Sequence, residues 1–97
     1  MHADRDAVLA VVGAEPMSIG DVGLAVLRHA GVLVDDAPGV GQRLAAAGLS
    51  LSALQRLVDA LVAEQVVQEV RGRELWDRGL PTAGTKAMGR YYLAAAP

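Results

Sequence analysis

The sequence holds no cysteine and no phenylalanine, and its aromatic residues stop at Trp76, Tyr91 and Tyr92. The first absence excludes disulfides, thiolate metal sites and a cysteine nucleophile together. The scarcity of rings leaves the interior to Val, Leu and Ala, a composition that suits helices packed closely through small side chains. No apolar run approaches the ~18 residues that a membrane span requires. The start, Met1-His2-Ala3-Asp4-Arg5-Asp6, is also unlike a secretory leader, because acids stand where net positive charge belongs and no cleavage pattern follows. The expectation is a cytoplasmic protein.

Residues for catalysis are scarce as well. His2 lies at the terminus and His29 ends a predicted helix, where a cation suits the dipole. Neither has a second His or a Cys within metal-ligand spacing. Asp35-Asp36 reads as a turn pair. "GVGQ" and "GLPTAGTK" contain glycine but lack the phosphate-loop pattern ending in Gly-Lys-Ser/Thr. No enzyme activity, cofactor or metal is expected.

What is present is a single domain's worth of chain. Ninety-seven residues, 53% hydrophobic and 21% charged, are enough for one core over residues 1–97. Net charge is −2 and the pI about 5.5, against the basic footprint usual for nucleic-acid binding. The charge is uneven. Residues 1–42 carry two basic groups against six acids; residues 43–97 carry seven, Arg43, Arg56, Arg71, Arg73, Arg78, Lys86 and Arg90, against five acids. The C-terminal half is therefore the part suited to a polyanion.

Periodicity predicts a helix over 4–14, then a second from Ser18 to about Ala30. There Ser18 and Asp21 have capping-box spacing, and Ile19, Val22, Val26 and Ala30 share a face. Gly20 and Gly23 weaken that helix by up to ~1 kcal/mol each, so packing must hold it. "GVLV" suggests a short extended piece and "DDAPGVG" a turn. A short helix over 41–47 stops at Gly48, a natural left-handed cap. Ser50 or Ser52 caps the next helix, and Ser52 with Gln55 repeats the capping-box spacing. Leu51, Leu54, Leu57, Val58, Leu61 and Val62 form its core stripe. Beyond Gln65, "VVQEVRGRELW" and "GRYYLAA" read as two strands joined by the Gly/Pro-rich "DRGLPTAGTKAM", with Trp76 and both tyrosines as packing residues. The fold class expected is mainly α with a C-terminal β-hairpin. Val8, Leu9, Leu24, Val32, Leu33 and Val34 exceed what so small a core should bury, which points to a homodimer seam or a protein partner.

Three or four helices followed by a hairpin is the winged-helix order. The run "LAAAGLSLSALQRLVDALVAEQVVQEVRGR" resembles the helix-turn-helix and first wing strand of multiple-antibiotic-resistance-type and isocitrate-lyase-type bacterial regulators, and "GRYYLA" resembles their returning strand. The resemblance covers about residues 40–95, with the helix-turn-helix at about 40–64 and the wing at about 66–95. Gln65 stands where those families most often have Gly, and Ala45 and Gly48 are three apart where four is usual. A second registration is open, in which "EPMSIGDVGLAVLRHAG" opens the motif and 31–49 is an insertion.

The resemblance implies a dimeric transcriptional regulator that binds duplex DNA. Ser52, Gln55 and Arg56 would then meet base edges or phosphates in the major groove, Gln pairing with adenine and Arg with guanine. Arg71, Arg73, Arg78 and Lys86 would hold phosphates from the wing, with Thr82 and Thr85 beside them. The competing explanations are a capping box for Ser52 and Gln55, and an ion pair with Asp59 for Arg56. The same run also resembles the helical dimerisation domain of small-molecule methyltransferases, so a module for protein contact alone is the alternative.

Overall fold

The computed structural model describes residues 4–32, 39–79 and 86–95, with the backbone alone at 40, 41 and 43. The first helix, α1 (Arg5–Val11), starts where the Asp4 side chain accepts the Ala7 N–H at 2.8 Å. It is shorter than the predicted 4–14, because Val12 is already extended. Helix α2 (Ile19–His29) begins under Ser18, whose hydroxyl accepts the Asp21 N–H at 3.2 Å. Ala30 is its exposed cap rather than part of its buried face. Helix α3 (Val40–Ala46) and helix α4 (Leu51–Ala63) follow, joined by the turn at 47–50.

Gly31, Gly48 and Gln65 close α2, α3 and α4 in the same way. Each has a positive φ. Each donates its N–H three residues back, and the following residue donates five back: Val32 to Leu27, Leu49 to Leu44, Val66 to Leu61. This pair of hydrogen bonds satisfies two of the last carbonyls of the helix. Two of the three closures use glycine, which adopts that backbone without cost; the third uses glutamine.

Strand β1 (Val67–Arg71) pairs antiparallel with β2 (Arg90–Ala94), in a register running from Val67↔Ala94 to Arg71↔Arg90. Met17 closes the other edge of β2, exchanging backbone hydrogen bonds with Tyr92 at 2.9 and 2.8 Å. Between the strands lies an unforeseen element, helix α5 (Gly72–Asp77). The chain therefore has five described helices, and "GRELW" is helical where a continued strand was predicted. The alternation ends at Val70; in "GRELW" the only apolar residues are adjacent, a spacing with no strand period.

Opposite sides of the sheet bury different things. The register puts Val67, Glu69, Tyr92 and Ala94 on one face and Gln68, Val70, Tyr91 and Leu93 on the other. On the first face, Val67 and Tyr92 join the main core of Val8, Val22, Val26, Leu27, Leu44, Leu54, Val58 and Leu61. On the second, Val70, Tyr91 and Leu93 form a small cluster with Leu75 of α5. Val8 and Leu24 are thus buried, contrary to the apolar excess expected of them, while Leu9 remains 36% exposed. Leu33 and Val34, the "DDAP" of the turn and the loop at 80–85 lie outside the described residues.

Gly23 explains how a glycine-weakened α2 is held. A Cβ there would stand 2.8 and 2.9 Å from the Leu44 methyls and 3.2 Å from one of Leu54. Its absence lets α2 lie directly against α3 and α4, so the propensity lost in the helix is recovered as packing.

Candidate nucleic-acid interface

The front of α4 is built by Ser50, not Ser52. The Ser50 hydroxyl accepts the Ala53 N–H at 3.2 Å, which leaves Ser52 exposed in the first turn. The capping box proposed for Ser52 and Gln55 is therefore not formed. Gln55 instead donates both amide hydrogens from Nε2, one to Asp59 Oδ1 and one to the Tyr92 hydroxyl, each at 2.9 Å. That second bond ties α4 to β2. It also alters what Gln55 can read: bidentate pairing with adenine needs a free amide donor, and both are committed.

Arg56 is exposed and makes no ion pair among the described residues; the expected partner, Asp59, takes the Gln55 amide instead. Leu51, assigned to the core stripe, is 38% exposed. It opens the helix one turn beyond Leu54, Val58 and Leu61, where the core has ended. Ile19, Leu51, Ser52, Gln55 and Arg56 line one surface hollow of about 550 Å³ between the starts of α2 and α4.

The second cluster lies at the outer end of the hairpin. Arg71 and Arg90 are direct cross-strand partners on one face, a like-charge pairing that is destabilising in itself. Each relieves it separately: Arg71 donates to the Met88 carbonyl at 3.0 Å, and Arg90 pairs with Glu69 at 3.4 Å. The start of α5 is bonded onto the returning chain, Gly72 N–H to Gly89 and Arg73 N–H to Ala87, both at 3.0 Å. This brings Arg73 and Lys86 to the same end. Both are exposed and outside any ion pair among the described residues. Arg78 is set apart, pairing with Glu74 at 2.8 Å and donating to Gln68 at 3.3 Å.

Close backbone contact shapes this end. A Cβ on Gly72 would fall 1.9 Å from the Lys86 carbonyl oxygen, and one on Gly89 would fall 2.7 Å from the Tyr91 hydroxyl. That hydroxyl accepts the Lys86 N–H at 2.9 Å. Tyr91 packs as expected, while Trp76, expected to pack in the core or on the hairpin, is 46% exposed and so lies outside the core. Thr82 and Thr85 lie outside the described residues.

Of the residues singled out from sequence, the fold gathers Ser52, Gln55 and Arg56 at one place and Arg71, Arg73 and Lys86 at another. Sequence reasoning counted Arg90 only among the basic groups of the C-terminal half; its place opposite Arg71 follows from the strand register. It missed Leu51 as a surface group; its position just after the capping serine, in the first turn of the helix, was the available signal. Ile19 is half-buried against the core, on the face expected of it. Among the described residues no helix is long and apolar enough to cross a membrane, and no three His, Cys, Asp or Glu side chains gather for a metal. The chain matches no family model, no curated protein and no solved structure.

Proposed function

We propose that this chain is a winged-helix domain that binds duplex DNA, as a bacterial transcriptional regulator does. The front of α4 enters the major groove, and the outer hairpin lies on the phosphate backbone. The observation that carries the reading is the hairpin's charge: Arg71 faces Arg90 across the strands, with Arg73 and Lys86 beside them. Folding brings like charges together there at a cost that a bound polyanion would reverse. Arg56 supplies a further unpaired cation at the front of α4. The net charge of −2 comes from residues 1–42, which carry six acids against two basic groups, while the hairpin itself is basic.

The scale is consistent with one binding unit. The longest dimension is 36 Å, about one turn of B-DNA, which spans roughly 34–36 Å. Two copies on successive half-sites would follow the usual symmetry of such regulators.

Titration of labelled duplex DNA at several salt concentrations, read by fluorescence anisotropy, tests the reading. If Arg56, Arg71, Arg73, Lys86 and Arg90 neutralise four or five phosphates, log K falls with log salt at a slope of about −4. Arg56→Ala weakens binding and leaves the fold intact. No anisotropy change at the lowest salt overturns the proposal.

In that event a second reading stands, a module for homodimerisation or for contact with another protein. It is favoured by the apolar groups left at the surface, Met88 at 77% exposure and Leu9, Val66 and Trp76 at lesser values. A dimer by sedimentation without DNA binding would support it.

A further inference from the structure

We infer that the hollow at the front of α4 reads the C5 methyl group of thymine, with Leu51 and Ile19 as its apolar floor; the inference rests on the proposed placement of α4 in the major groove. The hollow has a mixed lining. Leu51 and Ile19 contribute aliphatic surface, Ser52 and Arg56 polar groups, and Gln55 an amide whose hydrogens are both spent on Asp59 and Tyr92, so that Oε1 is what it has left to offer a ligand. A phosphate gains nothing from an aliphatic floor. Among the groups that base edges present in the major groove, the thymine methyl is the apolar one. A leucine 38% exposed at the point of α4 proposed to lie deepest in the groove is therefore matched to thymine rather than to the backbone.

The rest of the lining agrees. Arg56 donates, which suits the acceptors of thymine O4 or a purine N7. Gln55 Oε1 accepts, which suits the N6 amino group of the adenine paired with that thymine. Gln55 thus takes part as an acceptor held in place by Tyr92, rather than by the bidentate pairing expected of it. A second copy of the chain fits the hollow less well. Its few lining residues fall far short of the roughly 20–30 a side that a stable interface uses, and the centres of such interfaces are depleted in charge.

The test begins with a pool of random-sequence duplexes, from which those bound by the full chain are recovered and sequenced. The recovered duplex is then made with thymine or with uracil, which differ by the methyl alone, and titrated by anisotropy. Uracil should weaken binding about fourfold, the effect of one buried methyl-sized group. Leu51→Ala should abolish that difference while keeping the salt slope and the helical circular dichroism of the parent. Equal affinity for the two duplexes overturns the inference and leaves DNA binding standing. So does recovery of no preferred sequence, or a Leu51→Ala variant that still discriminates. Absence of binding to any duplex at low salt overturns both. A dimer in sedimentation that Leu51→Ala dissociates would put a second copy in the hollow and also overturn the inference.

Discussion

The helical body and the hairpin are held together by different means. The body buries Val8, Val22, Val26, Leu27, Leu44, Leu54 and Val58 completely, and its close approach at Gly23 is against flexible methyl groups. Outside the body the hairpin has Val70, Leu75, Tyr91 and Leu93, and its close approaches, at Gly72 and Gly89, are against a backbone carbonyl and a tyrosine hydroxyl. The body rests on volume filling, which tolerates small adjustments. The outer hairpin rests on backbone contact around one ring, which does not. The hairpin is also the basic part, with Arg71, Arg73, Arg78, Lys86 and Arg90 against Glu69, Glu74 and Asp77. The proposed phosphate-binding end therefore sits on the smaller core, where local opening needs least free energy.

Leu54→Ala should do the most damage. Leu54 is fully buried, and a leucine truncated at such a site costs about 2–5 kcal/mol. Thermal unfolding should show one transition at lower temperature, with body and hairpin lost together because Val67 and Tyr92 share that core. Gly72→Ala should cost less overall, about 1–3 kcal/mol for a forced overpacking, but the loss should be local. Amide exchange should quicken in β1, α5 and β2 while the α4 amides stay protected. Equal quickening in α4 would show that the two regions open as one unit, and the contrast between them would not hold.

The body was the more legible part in the sequence, for a physical reason. Helical periodicity and capping serines are local signals, so α2, α3 and α4 came out within a residue or two, and Gly48 was placed as a left-handed cap. Leu51 was misplaced because periodicity reports a face and not where along the helix the core stops. The hairpin depends on non-local facts. Nothing in "VRGRELW" tells that Leu75 will cover the far side of a sheet whose second strand begins at Arg90. Of the candidate site the sequence supplied the residue types, Arg56, Arg71, Arg73 and Lys86 among them, and the fold places them. Partners decide what those types can do, and beside the local partners of Gln55 and Arg78 stand distant ones: Tyr92, Gln68 and Glu69, which bond to Gln55, Arg78 and Arg90, lie 37, 10 and 21 positions away.

A smaller effect should come from the link between the regions. Tyr92→Phe removes the bond from Gln55 and should cost about 1 kcal/mol near neutral pH. The alkaline limb gives an independent check. Burial raises the Tyr92 hydroxyl above its ordinary value of 10.0, outweighing the Gln55 hydrogen bond that lowers it. The folded state therefore holds this proton where the unfolded chain has released it, so its contribution is full below pH 10 and is lost as pH rises through the folded value. Denaturant midpoints measured across that range should fall more steeply for the parent than for Tyr92→Phe. Parallel curves would mean that the hydroxyl is as free to ionise in the fold as outside it.

The last test concerns the corner where the body hands over to the hairpin. Gln65 has φ 65°, a left-handed backbone that costs a side-chain-bearing residue roughly 1–2 kcal/mol. The equivalent corners after α2 and α3 use Gly31 and Gly48 for the same pair of hydrogen bonds. Gln65→Gly should therefore stabilise the protein. The gain is held to about 0.5–1 kcal/mol because glycine also enlarges the entropy of the unfolded chain. An exposed Gln65 side chain leaves little packing to lose. A higher melting temperature with unchanged exchange in α5 would place the relieved strain at the corner itself. A lower one would mean that Gln65 makes the junction stiffer than glycine can, and that the chain keeps a strained residue there to fix how the hairpin leaves α4.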